Sequence, residues 1–468
     1  MNIVVSNVLT IEEPTQELKA WCKKNLTLSN PEYAKKARMH FWLGNTPSKI
    51  SLYEEHGNKL ILPFGVLRDL PESVKRDATF ESGFIDSETL NFAGNDVSLY
   101  DYQKDAVNAV FKAKYGILQA PAGSGKTQMG VALMKKFGKR ALWLTHTTDL
   151  LNQSKSRAEL FIDKDLIGTI TEGKVNIGLC VTFATIQTMC RLDLAQYKDY
   201  WDVIIVDECH RVAGSPTAVT QFSKVLNAFA ARHKIGLSAT VHRSDGMIEA
   251  TYALLGRIVY SVPDEAVGDK IMQVGILPVG TGIQLSRECL NTDGTLNYTK
   301  LITYLTGNKE RNLLIAHSIE VGKSSLILSD RLKHLSLLKD LLPGGELDKA
   351  VMISGKMAGK AGKAEREQAL EDMRTGKKKY LFATYSLAKE GLDIPCLERL
   401  YMGTPVKDYA VVTQAIGRIA RTCEGKTDSI CYDFVDDIGY LVKLYKKRCS
   451  TYQKNNCYFF VLKGGENT

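Results

Sequence analysis

Three short stretches of this sequence hold residue types at spacings that phosphate chemistry can use. The first is Ala120-Pro-Ala-Gly-Ser-Gly-Lys-Thr127. Glycines at 123 and 125 let the main chain approach an anion closely, so that N–H groups through Ser124 can surround phosphate oxygens. Lys126 can then neutralise the β- and γ-phosphates, and the Thr127 hydroxyl can ligate magnesium. Such a loop usually opens on glycine, and Ala120 stands there instead. Two other stretches, Gly322-Lys-Ser324 and Gly425-Lys-Thr427, carry only the tail of the pattern and follow no glycine-rich loop. The second stretch lies 81 residues beyond Lys126, where the apolar run 203–206 ends in Asp207-Glu-Cys-His210. Asp207 can hold magnesium through water, while Glu208 can orient and deprotonate the water that attacks a γ-phosphate. The third is Gln414-Ala-Ile-Gly-Arg-Ile-Ala-Arg421, with Arg418 and Arg421 three apart on one expected helix face. Guanidinium forks match phosphate oxygens, so the pair can reach across a cleft to charge developing on a γ-phosphoryl group. Gln414 opens this stretch and is counted in the same catalytic set. Together the three predict hydrolysis of ATP with Mg2+ as cofactor, at a site closing between two lobes.

Such groups need strand ends and helix starts to hold them. From about 96 to 260, short apolar runs (116–119, 141–145, 203–206, 234–237) alternate with helix-length stretches such as 128–137, the βαβ pattern of a parallel sheet. The pattern recurs after 310, with runs at 325–329, 350–353, 380–383, 399–402 and 429–434 and a helix over 365–373. A Pro/Gly/Val-rich span from about 262 to 285 reads as a connector. Residues 1–95 hold a helical-looking start and a hairpin in which 49–53 and 59–64 flank a turn at 55–58. The expected organisation is therefore an α/β chain: a small separate N-terminal α+β accessory domain (1–95), a first parallel-sheet lobe with connector (96–285) and a second lobe (286–468).

Lys and Arg outnumber Asp and Glu by 61 to 52, a net charge of +9 that suits a polyanionic partner without requiring one. No apolar run is long enough to cross a membrane, and the N-terminus lacks the basic start and apolar stretch of a signal peptide. A cytoplasmic protein is expected, inside the host cell if phage-encoded. Ten cysteines without Cys-x-x-Cys spacing predict scattered reduced thiols. The basic cluster Lys35-Lys-Ala-Arg38 precedes Met39-His-Phe-Trp42. Either Phe41 and Trp42 belong to the small domain's core, or they form with the cations a surface able to hold duplex or a junction arm; burial of Trp42 separates the two. The tail aromatics Tyr452, Tyr458, Phe459 and Phe460 are expected to pack rather than to stack on bases.

The order of all these motifs, from about 99 to 435, resembles that of the superfamily 2 helicases. Leu99-Tyr-Asp-Tyr-Gln103 is similar to that family's adenine-reading segment, with Gln103 on the base. Leu142-Trp-Leu-Thr-His-Thr147 and Val181-Thr-Phe-Ala-Thr-Ile186 resemble segments that grip a nucleic-acid backbone, which implies contacts from Thr145, His146 and Thr182, joined by Thr384 of Ala383-Thr-Tyr-Ser386. Ser238-Ala-Thr240 resembles the coupling motif, and Glu390-Gly-Leu-Asp-Ile-Pro395 the one that brings Gly391 and Asp393 near ATP. The run through Val-His-Arg243-Ser-Asp245-Gly is similar to XPB-type and phage UvsW-type DNA helicases, implying a coupling set of Ser238, Thr240, Arg243 and Asp245, although Val241 stands where proline is expected. Ile353-Ser-Gly-Lys-Met357, Arg366 and Asp433-Phe-Val-Asp436 resemble the phage branch-migrating group. The resemblance implies two tandem RecA-like lobes and an ATP-dependent DNA helicase that acts, as a monomer, on duplex, fork or four-way-junction DNA beside recombination or replication proteins. Simple strand separation, RNA unwinding and a non-hydrolysing scaffold remain as rival functions.

Overall fold

The computed structural model describes residues 1–121, 123–239, 246–268, 272–355, 357, 359–389, 392, 394–406 and 408–460. Apart from residues 122–124, the chain folds as two compact units that divide between Ala266 and Val267. Each contains one large sheet.

In the first unit that sheet has eight strands, in the order Lys174–Asn176, Ile167–Thr171, Val181–Thr185, Ala141–Thr145, Val203–Asp207, His233–Ser238, Gly116–Gln119 and Ile258–Ser261. Every neighbouring pair is parallel except the first. Ala141–Thr145, Val181–Thr185 and Val203–Asp207 are buried at every position. Helices cover both faces of such a sheet, which is why these strands read as unbroken apolar runs. Crossover connections return the chain between the seven parallel strands, so their carboxyl ends lie along one edge, where a ligand site belongs.

The accessory region differs from its expected form. The chain starts on strands, not a helix: Asn2–Val5 pairs with Val8–Glu12, and the helix Gln16–Asn25 follows. The hairpin is tighter and shifted, because Glu54–His56 pairs with Lys59–Pro63 about Gly57 and Asn58, while Lys49–Ser51 turns away to pair with Thr27–Ser29. A one-residue slip exchanges the two faces of a strand. The observed register keeps Leu60 and Leu62 in the core, where both are fully buried. Nor is the region separate. Its core residues Ile3, Leu9, Ile11 and Leu60 share one cluster with Val219, Met247, Ala250 and Ala253 of the first lobe. A Cβ on Gly65 would fall 2.4 Å from the Gly256 nitrogen, so the two backbones meet where only glycine fits.

The second unit holds a seven-stranded, wholly parallel sheet ordered Ala350–Met352, Tyr380–Thr384, Ser325–Ser329, Arg399–Met402, Ile430–Val435, Gly275–Gly280 and Tyr458–Phe459. Gly275–Gly280 lies inside the span expected to be a connector. It pairs along its whole length with Ile430–Val435, so the second lobe begins before residue 286. Two desolvated ion pairs brace this lobe, Arg311 with Asp436 at 2.7 Å and Arg448 with Asp433 at 2.8 Å. Tyr452 is fully buried and donates to Asp433 (2.6 Å), and Phe459 of the edge strand Tyr458–Phe459 packs against the core, whereas Tyr458 and Phe460 are exposed, so the tail aromatics pack only in part. The two parallel-sheet lobes have the RecA-like, doubly wound α/β form.

Candidate active site

The strand Gly116–Gln119 delivers the chain into the loop at Ala120, and the helix Lys126–Phe137 leaves from it. Gly123 (φ +84°) and Gly125 (φ +79°) take left-handed conformations that let the backbone fold into an anion cradle at the helix N-terminus. The Ala120 N–H donates to the Ser238 carbonyl at 3.0 Å, which ties the start of the loop to the end of the neighbouring strand. Lys126 Nζ donates to the carbonyls of Ala120 and Pro121, 3.2 Å each, and thereby lies back along its own loop. These are weak partners that an incoming phosphate can replace. Gln103 is buried, caps the helix Asp101–Ala113 by accepting from Tyr100 N–H at 2.9 Å, and stands so close that a Cβ on Gly125 would come 2.5 Å from its amide nitrogen.

Asp207 ends the strand Val203–Asp207, two places along the sheet from Gly116–Gln119. Burial pushes its carboxyl up to about 6 and the neighbouring Glu208 charge adds to this, against a hydrogen bond from Ser154 Oγ (3.0 Å) and the positive charge of Lys126. Glu208 takes the left-handed conformation (φ +48°, ψ +50°). For a residue with a side chain this costs on the order of 1 kcal/mol, and such backbone strain gathers at functional sites. Here the turn reverses the chain at once after the strand. His210 Nδ1 then lies 3.0 Å from Ser238 Oγ and 3.2 Å from Glu208 Oε2, so one imidazole joins the acidic pair to the neighbouring strand. A magnesium ion takes few protein ligands and keeps several waters, and one hydroxyl (Thr127) with one buried carboxylate (Asp207) suits it.

Ser154 and His210 are the residues that sequence reasoning missed. His210 stood in view within the Asp-Glu-Cys-His run but had no assigned role. Ser154 carried no signal, because a serine on the buried face of the helix Thr148–Ala158 is marked only by tertiary contact. Thr145 and Thr182 are both fully buried, with the Thr145 hydroxyl given to the Thr147 carbonyl (3.1 Å) and the Thr182 hydroxyl accepting from Gly178 N–H (3.1 Å), so both hydroxyls are engaged inside the protein. His146 is partly exposed, held by Gln187, which donates to its carbonyl at 2.9 Å. Burial lowers the His146 pKa, helped by the charges of Arg211 and His210. Thr384 Oγ1 lies 3.0 Å from Ser386 Oγ at an exposed strand end.

In the second unit, the helix Tyr409–Ile419 stops before Arg421, because the Ile419 carbonyl is taken by the Ser429 hydroxyl (2.6 Å). The two arginines therefore do not share one helix face. Arg418 donates to the carbonyls of Ala388 (3.0 Å) and Leu392 (3.1 Å) and fastens the short helix Tyr385–Lys389 and the chain beyond it to its own helix. Gln414 Oε1 is buried and accepts no hydrogen bond among the described residues. Cys396 and Cys423 are joined in a disulfide with Cα atoms 5.3 Å apart, against the expectation of reduced thiols; their 27-residue separation gave no local sign of pairing. Thr240, Arg243, Asp245, Gly391 and Asp393 lie outside the described residues.

Comparison with known proteins agrees with this layout. Two family models match more than half of the chain between them: Type III restriction enzyme, res subunit, over 96–243, and Helicase conserved C-terminal domain over 308–423. The chain is 27% identical over 420 residues to the Putative ATP-dependent RNA helicase L396 of Acanthamoeba polyphaga mimivirus, covering 86% of this chain and 76% of that one. It is 25% identical over 355 residues to the DNA 3'-5' translocase XPB2 of Sulfurisphaera tokodaii, covering 69% and 78%. The solved fragment of a putative HsdR subunit of a type I restriction enzyme from Vibrio vulnificus YJ016 shares the fold, with a TM-score of 0.54 at 19% identity over 75% of this chain and 67% of that one.

Proposed function

This chain belongs to the superfamily 2 helicases, enzymes that use ATP and bind nucleic acid, and from that premise we propose that it is an ATP-dependent DNA translocase that remodels branched DNA. Forks and four-way junctions met in recombination, repair or replication are its substrates. The observation that carries the reading is the single sheet edge on which Lys126, Asp207 and Glu208 stand together, with His210 linking Glu208 to Ser238.

Lys126 exchanges its two loop carbonyls for phosphate oxygens of ATP, and the N–H groups of 123–127 surround the same oxygens. Thr127, and Asp207 through water, would hold a magnesium ion, which would supply positive charge beside the phosphates. Glu208 orients the attacking water and takes its proton. Arg418, which already holds Ala388 and Leu392, positions the short helix after Thr384. His210 is a positioning residue that reports the state of Glu208 to Ser238.

The choice of DNA rests on the resemblance of 238–246 and 353–357 to XPB-type and UvsW-type motifs, and the mimivirus relative named as an RNA helicase makes RNA the rival. A mobile four-way junction with one labelled strand tests the proposal. The wild-type protein with ATP converts it into forked products, and Lys126→Ala, still folded, does not. If simple forks are separated while junctions persist, the remodelling assignment gives way to plain strand separation.

A further inference from the structure

The segment 30–51 is built with more care than the core requires. Its helix Pro31–Arg38 buries none of its eight residues, and a helix without an apolar face contributes nothing to a core. Yet both ends are fixed. The Asn30 side chain accepts from the N–H groups of Glu32 (2.9 Å) and Tyr33 (3.4 Å), with proline at the first helical position. At the far end His40 is left-handed (φ +52°), Phe41 N–H donates to the Lys36 carbonyl (2.9 Å) and His40 N–H to that of Ala37 (3.2 Å), a paired closure of the last turn. The returning chain is clamped by Lys36 Nζ on Thr46 Oγ1 (2.8 Å) and Asn30 Nδ2 on the Pro47 carbonyl (2.7 Å).

What this frame holds outward is aromatic. Phe41 is 58% exposed and Trp42 is 89% exposed. The Trp42 ring rests against Gly44, where a Cβ would come 2.8 Å from its Cζ3, so the indole is placed as well as exposed. The cations of the same segment, Lys35, Arg38 and Lys49, are exposed and have no carboxylate partner among the described residues. Beside the loop opens a cleft of about 650 Å³ whose lining includes the neutral polar residues Asn45, Thr46, Thr217 and Gln221 together with Lys49 and Glu32, the latter paired with Lys36. A protruding indole carried on a segment with three exposed, unpaired cations fits a polyanion that offers flat apolar faces. Single-stranded DNA offers them; duplex hides its base faces in the stack.

We propose that the loop 39–48 is a base-stacking site for unpaired DNA, in which Trp42 stacks on a base while Lys35, Arg38 and Lys49 meet the flanking phosphates. The site deepens the reading of the chain as a DNA motor and rests on it, giving the accessory region a hold on the strand that emerges unpaired at a branch.

The test reads affinity without nucleotide, so its failure is distinct from failure of the motor. Of the four tryptophans, Trp143 and Trp201 are buried, and Trp42 is the one that faces solvent most. Oligothymidylate should quench the emission of the wild-type protein, and a blunt hairpin duplex of equal charge should quench it far less. Trp42→Ala should weaken oligothymidylate binding roughly 5- to 100-fold, the range of one lost base stack, while Trp42→Phe keeps most of the affinity. Absence of quenching by oligothymidylate, unchanged affinity in Trp42→Ala, or an equal loss on hairpin duplex would each overturn the site. If Trp42→Ala does not fold, wild-type quenching and Trp42→Phe still decide it. Absence of any ATP turnover in response to nucleic acid, measured separately, would overturn the motor reading instead.

Discussion

Glu208 concentrates the chemistry proposed here into one side chain, and its backbone shows why it stands where it does. A left-handed conformation directly after a fully buried strand turns the carboxylate out of the sheet, where His210 and the buried Asp207 surround it. Glu208→Gln keeps shape and hydrogen bonding while removing the base. Turnover of ATP is expected to fall by roughly 10²–10⁴-fold, with nucleotide affinity nearly unchanged. A parallel fall in affinity would show that Glu208 holds the nucleotide and does not activate water. At this scale the sequence was legible where chemistry dictates residue type: Lys126, Thr127, Asp207 and Glu208 announce themselves by glycine spacing and by an acidic pair after an apolar run. It was illegible where a role depends on which way a side chain faces. Threonines at 145 and 182 look like surface hydroxyls in a motif, yet both lie inside strands with every position buried. Ser154 becomes a partner of Asp207 only once helix and sheet are packed.

Among the elements, the strand His233–Ser238 does two jobs. Its end presents Ser238 to His210, and its second residue, Lys234, is fully buried, donating to the carbonyls of Asn7 (2.9 Å) and Leu226 (2.7 Å) and lying 5.1 Å above the Phe64 ring. That lysine stitches the accessory sheet to the first lobe. Burial pulls its pKa down to about 7, whereas the unfolded chain holds it near 10.4. Between these values the unfolded state binds more protons, so this group's contribution makes resistance to unfolding rise with pH from about 7 towards 10. Urea unfolding followed at pH 7 and pH 9 should show that rise in the wild type and a smaller one in Lys234→Met; identical pH dependence in both would show that Lys234 is charged in the folded state. Strands and helices of the two lobes were readable from alternating apolar runs. The accessory hairpin was not, because Lys49–Ser51 and Glu54–His56 lie close in sequence and only the partners Thr27–Ser29 and Lys59–Pro63 separate them. The end of the helix at Ile419 was equally hidden, since a hydroxyl ten residues further on takes its last carbonyl.

At the scale of the molecule, the two sheets and the motif order follow from local pattern, whereas the fusion of residues 1–95 with the first lobe does not, because its signal is shape: Gly65 against Gly256, and Met247 and Ala250 filling a core begun by Ile3 and Leu9. One consequence is that the exposed Trp42 loop is carried on the same compact unit as Lys126 and Glu208. The net charge of +9 supplies attraction to any nucleic acid and discriminates little between kinds. The central claim, a motor whose proper substrate is branched DNA, therefore turns on which nucleic acid makes it hydrolyse ATP. The most direct measurement is the steady-state ATPase rate with single-stranded DNA, duplex DNA, a four-way junction and single-stranded RNA, at matched nucleotide concentration and fixed salt. The highest rate is expected with the junction or duplex, with weak stimulation by RNA; RNA stimulation equal to or above that of every DNA would contradict a DNA-remodelling motor.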